Sequence, residues 1–174
     1  MERETSCCFT GHRNIPAQDG LWIRRRLREE ILRLAEQGVH SFLAGGALGF
    51  DTMAAQEVLR VRAEYAPSLE LVLVLPCLGQ EEDWSQRDAA VYRSLLRQAD
   101  QVIYTGTQCQ RGCMMRRNRY LVEHSAYCLC FQKKDRGGTA YTVQYAKDQG
   151  LTVCNLAEYP YNRGRQKKGV PEKL

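Results

Sequence analysis

No stretch of this chain is apolar over anything near the roughly 20 residues that a membrane-spanning helix requires. The longest apolar run, Leu71–Leu75, has the length of a strand. The start, Met1-Glu2-Arg3-Glu4-Thr5, carries no apolar signal region, which predicts a cytoplasmic protein. The Gly-Lys-Ser/Thr ending of a Walker loop is missing, and so is the G-x-G-x-x-G dinucleotide fingerprint. The C-x2-C pairs of a structural zinc site are missing as well. No internal repeat and no linker divides the chain.

What is present is ordinary in bulk. The 174 residues suffice for one domain with a real core, and 44% apolar with 26% charged residues is usual for a globular protein. The net charge of +5 is unevenly placed. Residues 160–174 hold five basic side chains against Glu172 alone, a net +4, while the other 159 residues hold 20 basic and 19 acidic groups. We expect a domain over residues 1–159 and a basic, flexible tail over 160–174. Composition argues against nucleic acid as the main partner and leaves the tail as the segment that could touch it.

The eight cysteines fit disulfides, or a zinc site made from Cys109-x3-Cys113 and Cys128-x-Cys130. Cys7, Cys8, Cys128, Cys130 and Cys154 fall in strand-like runs, where cysteine behaves as a small buried hydrophobe. The expectation is eight thiols and no metal.

Strand-like and helix-like runs alternate to the end of the chain. Strands are expected near 5–10, 40–44, 70–75, 101–104, 126–131 and 151–155. Helices are expected near 21–37, 51–65, 84–99, 113–124 and 139–149. In the first helix Ile23, Leu27, Ile31 and Leu34 form one apolar stripe, and Arg24, Arg25, Arg28 and Glu29 read as a solvated face. Such alternation predicts parallel βαβ units in a doubly wound α/β fold: mainly parallel, about six strands, with flanking helices.

Three glycine-containing turns sit where a strand gives way to a helix: Thr10-Gly11-His12-Arg13, Gly45-Gly46-Ala47-Leu48-Gly49-Phe50-Asp51, and Arg136-Gly137-Gly138-Thr139. In a parallel sheet these turns share the edge where ligands bind. Glycine admits close backbone approach, and helix N-termini offer free N–H groups to anions. The set predicts a phosphate-bearing, nucleotide-type ligand. Arg13 can clamp a phosphate, His12 can carry a proton near neutral pH, and Thr139 can cap its helix or bind a phosphate. Asp51 reads equally as an N-cap or as an acceptor for sugar hydroxyls. Arg116-Arg117-Asn118-Arg119 covers most of a helix circumference, so at least one polar group must turn inward. Arg117 or Asn118 is expected to face the crevice, with Arg116 and Arg119 solvated.

These motifs, with Arg117-Asn118-x-Tyr120-Leu121-Val122-Glu123 and the Pro76–Trp84 stretch around Gln80, resemble the YpsA family of the SLOG superfamily, which also holds the DprA and LOG proteins. The likeness runs over about residues 5–155. It implies a single-domain Rossmann-like fold with a pocket for a nucleotide or nucleotide-derived ligand, and our expectation extends to one like ADP-ribose. Thr10, Gly11, His12, Arg13, Gly45, Gly46, Gly49, Asp51, Pro76, Arg117, Asn118, Gly137, Gly138 and Thr139 are the implied ligand residues. The chain departs from the pattern at Asn14-Ile15-Pro16, Leu121 and Glu123. Val143 and Gln144 stand where LOG enzymes carry the acids of P-G-G-x-G-T-x-E-E, and neither can act as a carboxylate does. The primary expectation is therefore a binding protein acting as a sensor or regulator. The alternatives are a nucleotide hydrolase using Asp51, Glu123 or His12, and a DprA-like binder of single strands. The sequence is compatible with a homo-oligomer.

Overall fold

The computed structural model describes residues 2–158. The tail expected over 160–174 lies outside the described residues. Among the described residues six strands form one sheet: β1 (Ser6–Gly11), β2 (Ser41–Ala44), β3 (Glu70–Leu75), β4 (Gln101–Tyr104), β5 (Tyr127–Phe131) and β6 (Thr152–Asn155). Their order is β4-β3-β2-β1-β5-β6, and every adjacent pair is parallel. The expectation of a mainly parallel sheet is met by one that is wholly so. Five helices connect the strands: α1 (Ala17–Glu36), α2 (Phe50–Glu64), α3 (Gln86–Gln98), α4 (Cys113–Glu123) and α5 (Gly138–Asp148).

The chain winds from β1 outward to β4, then crosses to the other side of β1 for β5 and β6. Right-handed crossovers put helices from the two halves on opposite faces. Accordingly α1, α2 and α3 bury Ile23, Leu27, Val58 and Leu95 with Phe9, Phe42 and Leu73 on one side. On the other side α4 and α5 bury Leu121, Val122, Val143 and Ala146 with Cys8, Leu43 and Val72. Both faces of the central strands are covered, which is why β3 reads as Leu-Val-Leu-Val-Leu. The strand order reverses direction between β1 and β5, the place where such sheets open a crevice beyond their C-terminal ends.

Two expectations are corrected here. The charged face of α1 is only partly solvated. Arg24 and Arg28 each reach a carboxylate oxygen of Glu57 on α2 at 3.1 Å, and Glu57 is buried. A charge inside a helix pair needs such partners, and two arginines supply them. Arg25 stays in solvent. The eight cysteines are also not all thiols: Cys77 and Cys109 form a disulfide, their Cα atoms 5.1 Å apart. They are 32 residues apart in sequence and meet because β3 and β4 are neighbours whose following loops leave the same edge. Cys7, Cys8, Cys113, Cys128 and Cys130 are buried thiols. With Cys109 in the disulfide, the four-cysteine zinc alternative loses one of its thiolates.

Candidate functional site

Beyond the ends of β1 and β5 lies a cavity of about 260 Å³. Its walls come from the β1 turn (Thr10 to Arg13), the start of α2 (Asp51), α4 (Met114, Arg117, Asn118) and the start of α5 (Gly138, Thr139). Elements far apart in sequence thus converge at the switch point.

The centre of the site is an ion pair between the two helix layers. Arg117 Nη1 lies 3.3 Å from Asp51 Oδ2, and both residues are buried. Gly45 at the end of β2 makes this possible. A Cβ there would fall on the Arg117 guanidinium and press on the Asp51 carboxylate. The glycine leaves the gap through which Arg117 of one layer reaches Asp51 of the other. Burial pushes the Asp51 carboxyl upward and the Arg117 pKa downward, and each charge opposes the shift of its partner.

Arg117 is under-used by this pair. Its buried Nε has no hydrogen-bond partner among the described residues, and its Nη2 lies 3.7 Å from the thioether of Met114. Arg13, which is exposed, points Nη2 at the same sulfur at 3.8 Å. A thioether is a weak acceptor. Two guanidiniums therefore converge on one neutral atom.

His12 is a brace between turns. Its Nε2 accepts the backbone N–H of Lys133, 2.9 Å away in the loop after β5. A backbone amide only donates, so this bond assigns the ring proton to Nδ1 and keeps the ring neutral. Burial and the charges of Lys134 and Lys133 push its pKa below the usual histidine value, in agreement with that assignment. Asn118 donates to Thr142 Oγ1 at 2.9 Å, and Thr142 in turn donates to the Gly138 carbonyl at 2.8 Å. Asn118 thus fastens the first turn of α5 to α4.

Thr10, Gly11, His12, Arg13, Asp51, Arg117, Asn118, Gly138 and Thr139 line the cavity. Gly45, Gly46, Gly49, Gly137 and Pro76 are not among its lining residues. The glycines shape its walls instead. At Gly49, φ is +79°, and a Cβ would press on the carbonyls of His12 and Arg13. That close approach lets Phe50 N–H bond to the His12 carbonyl at 3.1 Å. Gly46 accepts a bond from Gln80 Nε2 at 3.2 Å, which brings the Gln80 loop to the same edge. Asp51 is not an N-cap: Gly49 holds that position, and Asp51 lies inside the first turn of α2. Thr139 does not cap α5, whose N-cap is Gly137. Glu123 lies in a separate groove beside β4 and accepts a bond from Tyr145 Oη at 2.7 Å. Arg116 and Arg119 are exposed, as expected. Sequence reasoning missed Met114, a plain apolar residue whose only signal was its place three residues before Arg117 on one helix face.

No described helix is long and apolar enough to cross a membrane. The chain is 31% identical over 129 residues to the UPF0398 protein BH1768 from Halalkalibacterium halodurans, covering 72% of this chain and 68% of that one. It is 30% identical to a UPF0398 protein from Bacillus thuringiensis, over 74% of this chain and 71% of the other. Among solved structures it resembles DNA processing protein A (DprA) from Streptococcus pneumoniae, with a TM-score of 0.62 and 16% identity over 85% of this chain. It spans 48% of that DprA chain, or about half. DprA from Helicobacter pylori, whose single-stranded DNA binding mode has been described, gives a TM-score of 0.60 at 18% identity, over 85% of this chain and 63% of that one. These two likenesses are of fold. Residues 8–156 match the YpsA model, described as the YspA SLOG family. The match covers nearly all of the described chain, and the protein belongs to the YpsA family of the SLOG superfamily.

Proposed function

We propose that the switch-point cavity binds the phosphate-bearing part of a nucleotide or nucleotide-derived ligand, such as one like ADP-ribose, and that the protein acts as a sensor or regulator. One observation carries the reading: Arg13 and Arg117 both aim at Met114 Sδ, while the buried Arg117 Nε lacks a partner among the described residues. An anion seated there would exchange a weak acceptor for charge-assisted bonds. The start of α5 at Gly138 and Thr139 borders the same space and adds free backbone N–H groups. A volume of about 260 Å³ suits a phosphate with its sugar and leaves a base or second nucleoside to lie at the mouth.

The test is calorimetry against a panel of nucleoside mono- and diphosphates and ADP-ribose. At least one should bind, and Arg13→Ala should weaken it by about 10- to 100-fold, the usual loss for a bond to a charged group. Arg13 is exposed, so the fold should survive. No binding by any member, or binding indifferent to Arg13, would remove the proposal.

Nucleotide hydrolysis is kept as a second reading because Asp51 lines the cavity and burial raises its pKa, a condition that suits a general acid. Against it, the carboxylate is held by Arg117. Release of free base from the same panel decides. Turnover abolished by Asp51→Asn would replace the sensor reading with the hydrolase.

A further inference from the structure

We propose that Cys77 and Cys109 form a reversible thiol–disulfide site that fastens the β4–α4 loop to the body of the protein. Cys77 follows Pro76 at the end of β3 and is fully buried. Cys109 lies in the exposed loop between β4 and α4. The two cysteines therefore present different faces to chemistry. Cys109 is the side from which a reagent in solution meets the disulfide, and Cys77 lies behind it. Exposed disulfides are the labile ones, and an accessible sulfur is the one that exchanges.

The loop has little else to hold it. At its start, Thr105 bonds twice to the Leu75 carbonyl, through N–H at 2.8 Å and through its hydroxyl at 3.1 Å. From residue 107 to 112 every residue is exposed. The backbone bonds there stay local, Gln110 N–H to Gln108 and Cys113 N–H to Gln110. Residues that are exposed and bonded only among themselves open at low free energy, so the disulfide supplies the tether. The Cys109 sulfur lies 3.6 Å from the Leu78 carbonyl, an acceptor that a Cys109 thiol could use without moving.

The chemistry balances with a small disulfide as oxidant and a small thiol as reductant. For oxidation, the Cys109 thiolate attacks a low-molecular-weight disulfide of the glutathione type and forms a mixed disulfide, expelling one thiolate. The Cys77 thiolate then attacks the Cys109 sulfur and expels the second. Two small disulfide sulfurs leave as thiols, carrying the two protons that the cysteines lost. Reduction by a small thiol runs the same steps backward, beginning at the exposed Cys109 sulfur. The consequence reaches the cavity through α4. That helix starts four residues after Cys109 and carries Met114 and Arg117.

The whole chain is equilibrated in buffers of reduced and oxidised glutathione, then trapped by alkylation and mapped by mass spectrometry. Cys77–Cys109 should pass from dithiol to disulfide across the series, while Cys7, Cys8, Cys128 and Cys130 remain thiols. Hydrogen exchange on the same samples should show faster exchange over residues 106–113 in the reduced form and unchanged exchange in β1 and β3. Cys109→Ser, at an exposed position that spares the fold, should exchange like the reduced form in every buffer. Three results would overturn the proposal: both cysteines staying reduced in oxidised glutathione, the disulfide resisting reduction in the native protein, or exchange in the loop indifferent to the redox state.

Discussion

Arg117 is the residue on which the site depends, because it answers two demands at once. It neutralises Asp51 inside the protein, and it leaves donor capacity facing the cavity. Arg117→Ala strands a buried carboxylate, and breaking a buried pair in this way costs about 3–5 kcal/mol. The loss should depend on pH with a definite sign. Without its counter-charge, the already raised Asp51 pKa rises further, so the folded state binds a proton that the unfolded state releases. Stability is then retained below the ordinary carboxylate pKa of 3.8 and lost as pH rises through the folded value. Urea unfolding should find the variant closest to wild type in acid. His12 gives the opposite trend. Its folded pKa lies below the ordinary histidine value of 6.5, so the unfolded chain binds the proton more readily. Its contribution is present above pH 6.5 and lost as pH falls through the lower folded value. His12→Gln should flatten that part of the stability profile, whereas an unchanged slope would show that burial and the neighbouring lysines do not lower the His12 pKa.

At the scale of the element, the glycine turns divide into two kinds. Gly45 is a spacer inside the protein, where a Cβ collides with the Arg117 guanidinium. Gly138 is a lining residue, where a Cβ meets nothing within 4 Å. Gly45→Ala and Gly138→Val therefore test different properties. The first should destabilise by about 2–4 kcal/mol, since an ion pair buried between two helix layers must move. The second should leave the unfolding midpoint near wild type and abolish ligand binding by filling the cavity, as thermal melts and calorimetry would show. The helices were legible in the sequence as apolar stripes, but α1 begins at Ala17, ahead of the expected start at Leu21. The stripe marks only the buried face, and Ala17 to Gly20 contribute none of the core. The Arg24–Glu57–Arg28 contact was invisible for a related reason: a helix in isolation offers these arginines only water, and α2 brings the carboxylate.

At the scale of the molecule, the placement of charge decides how the alternative of single-strand binding is tested. The chain outside residues 160–174 is nearly neutral, so binding by the folded part would have few phosphate contacts and a shallow salt dependence. Single-stranded DNA titrations at about 50 and 200 mM salt should find no binding by the folded part, and any binding through the basic tail should disappear when residues 160–174 are deleted. Salt-sensitive binding that survives the deletion would place a nucleic-acid surface on the domain. The sequence alone determined the alternation of strands and helices, the parallel sheet and the edge on which the glycine turns gather. These follow from local periodicity and from the handedness of βαβ crossovers, which any chain with this pattern obeys. It also singled out Arg117 and Asn118, because four successive polar residues cannot all avoid the inner face of a helix. Only the tertiary structure decided their partners. The Arg117–Asp51 pair, the turn of Arg13 toward Met114, the removal of Glu123 from the cavity and the Cys77–Cys109 disulfide all join residues 32 or more apart in sequence or separate residues close together in it. Such pairings depend on which strands are neighbours and which helix layer covers them, and that information exists only once the chain has folded.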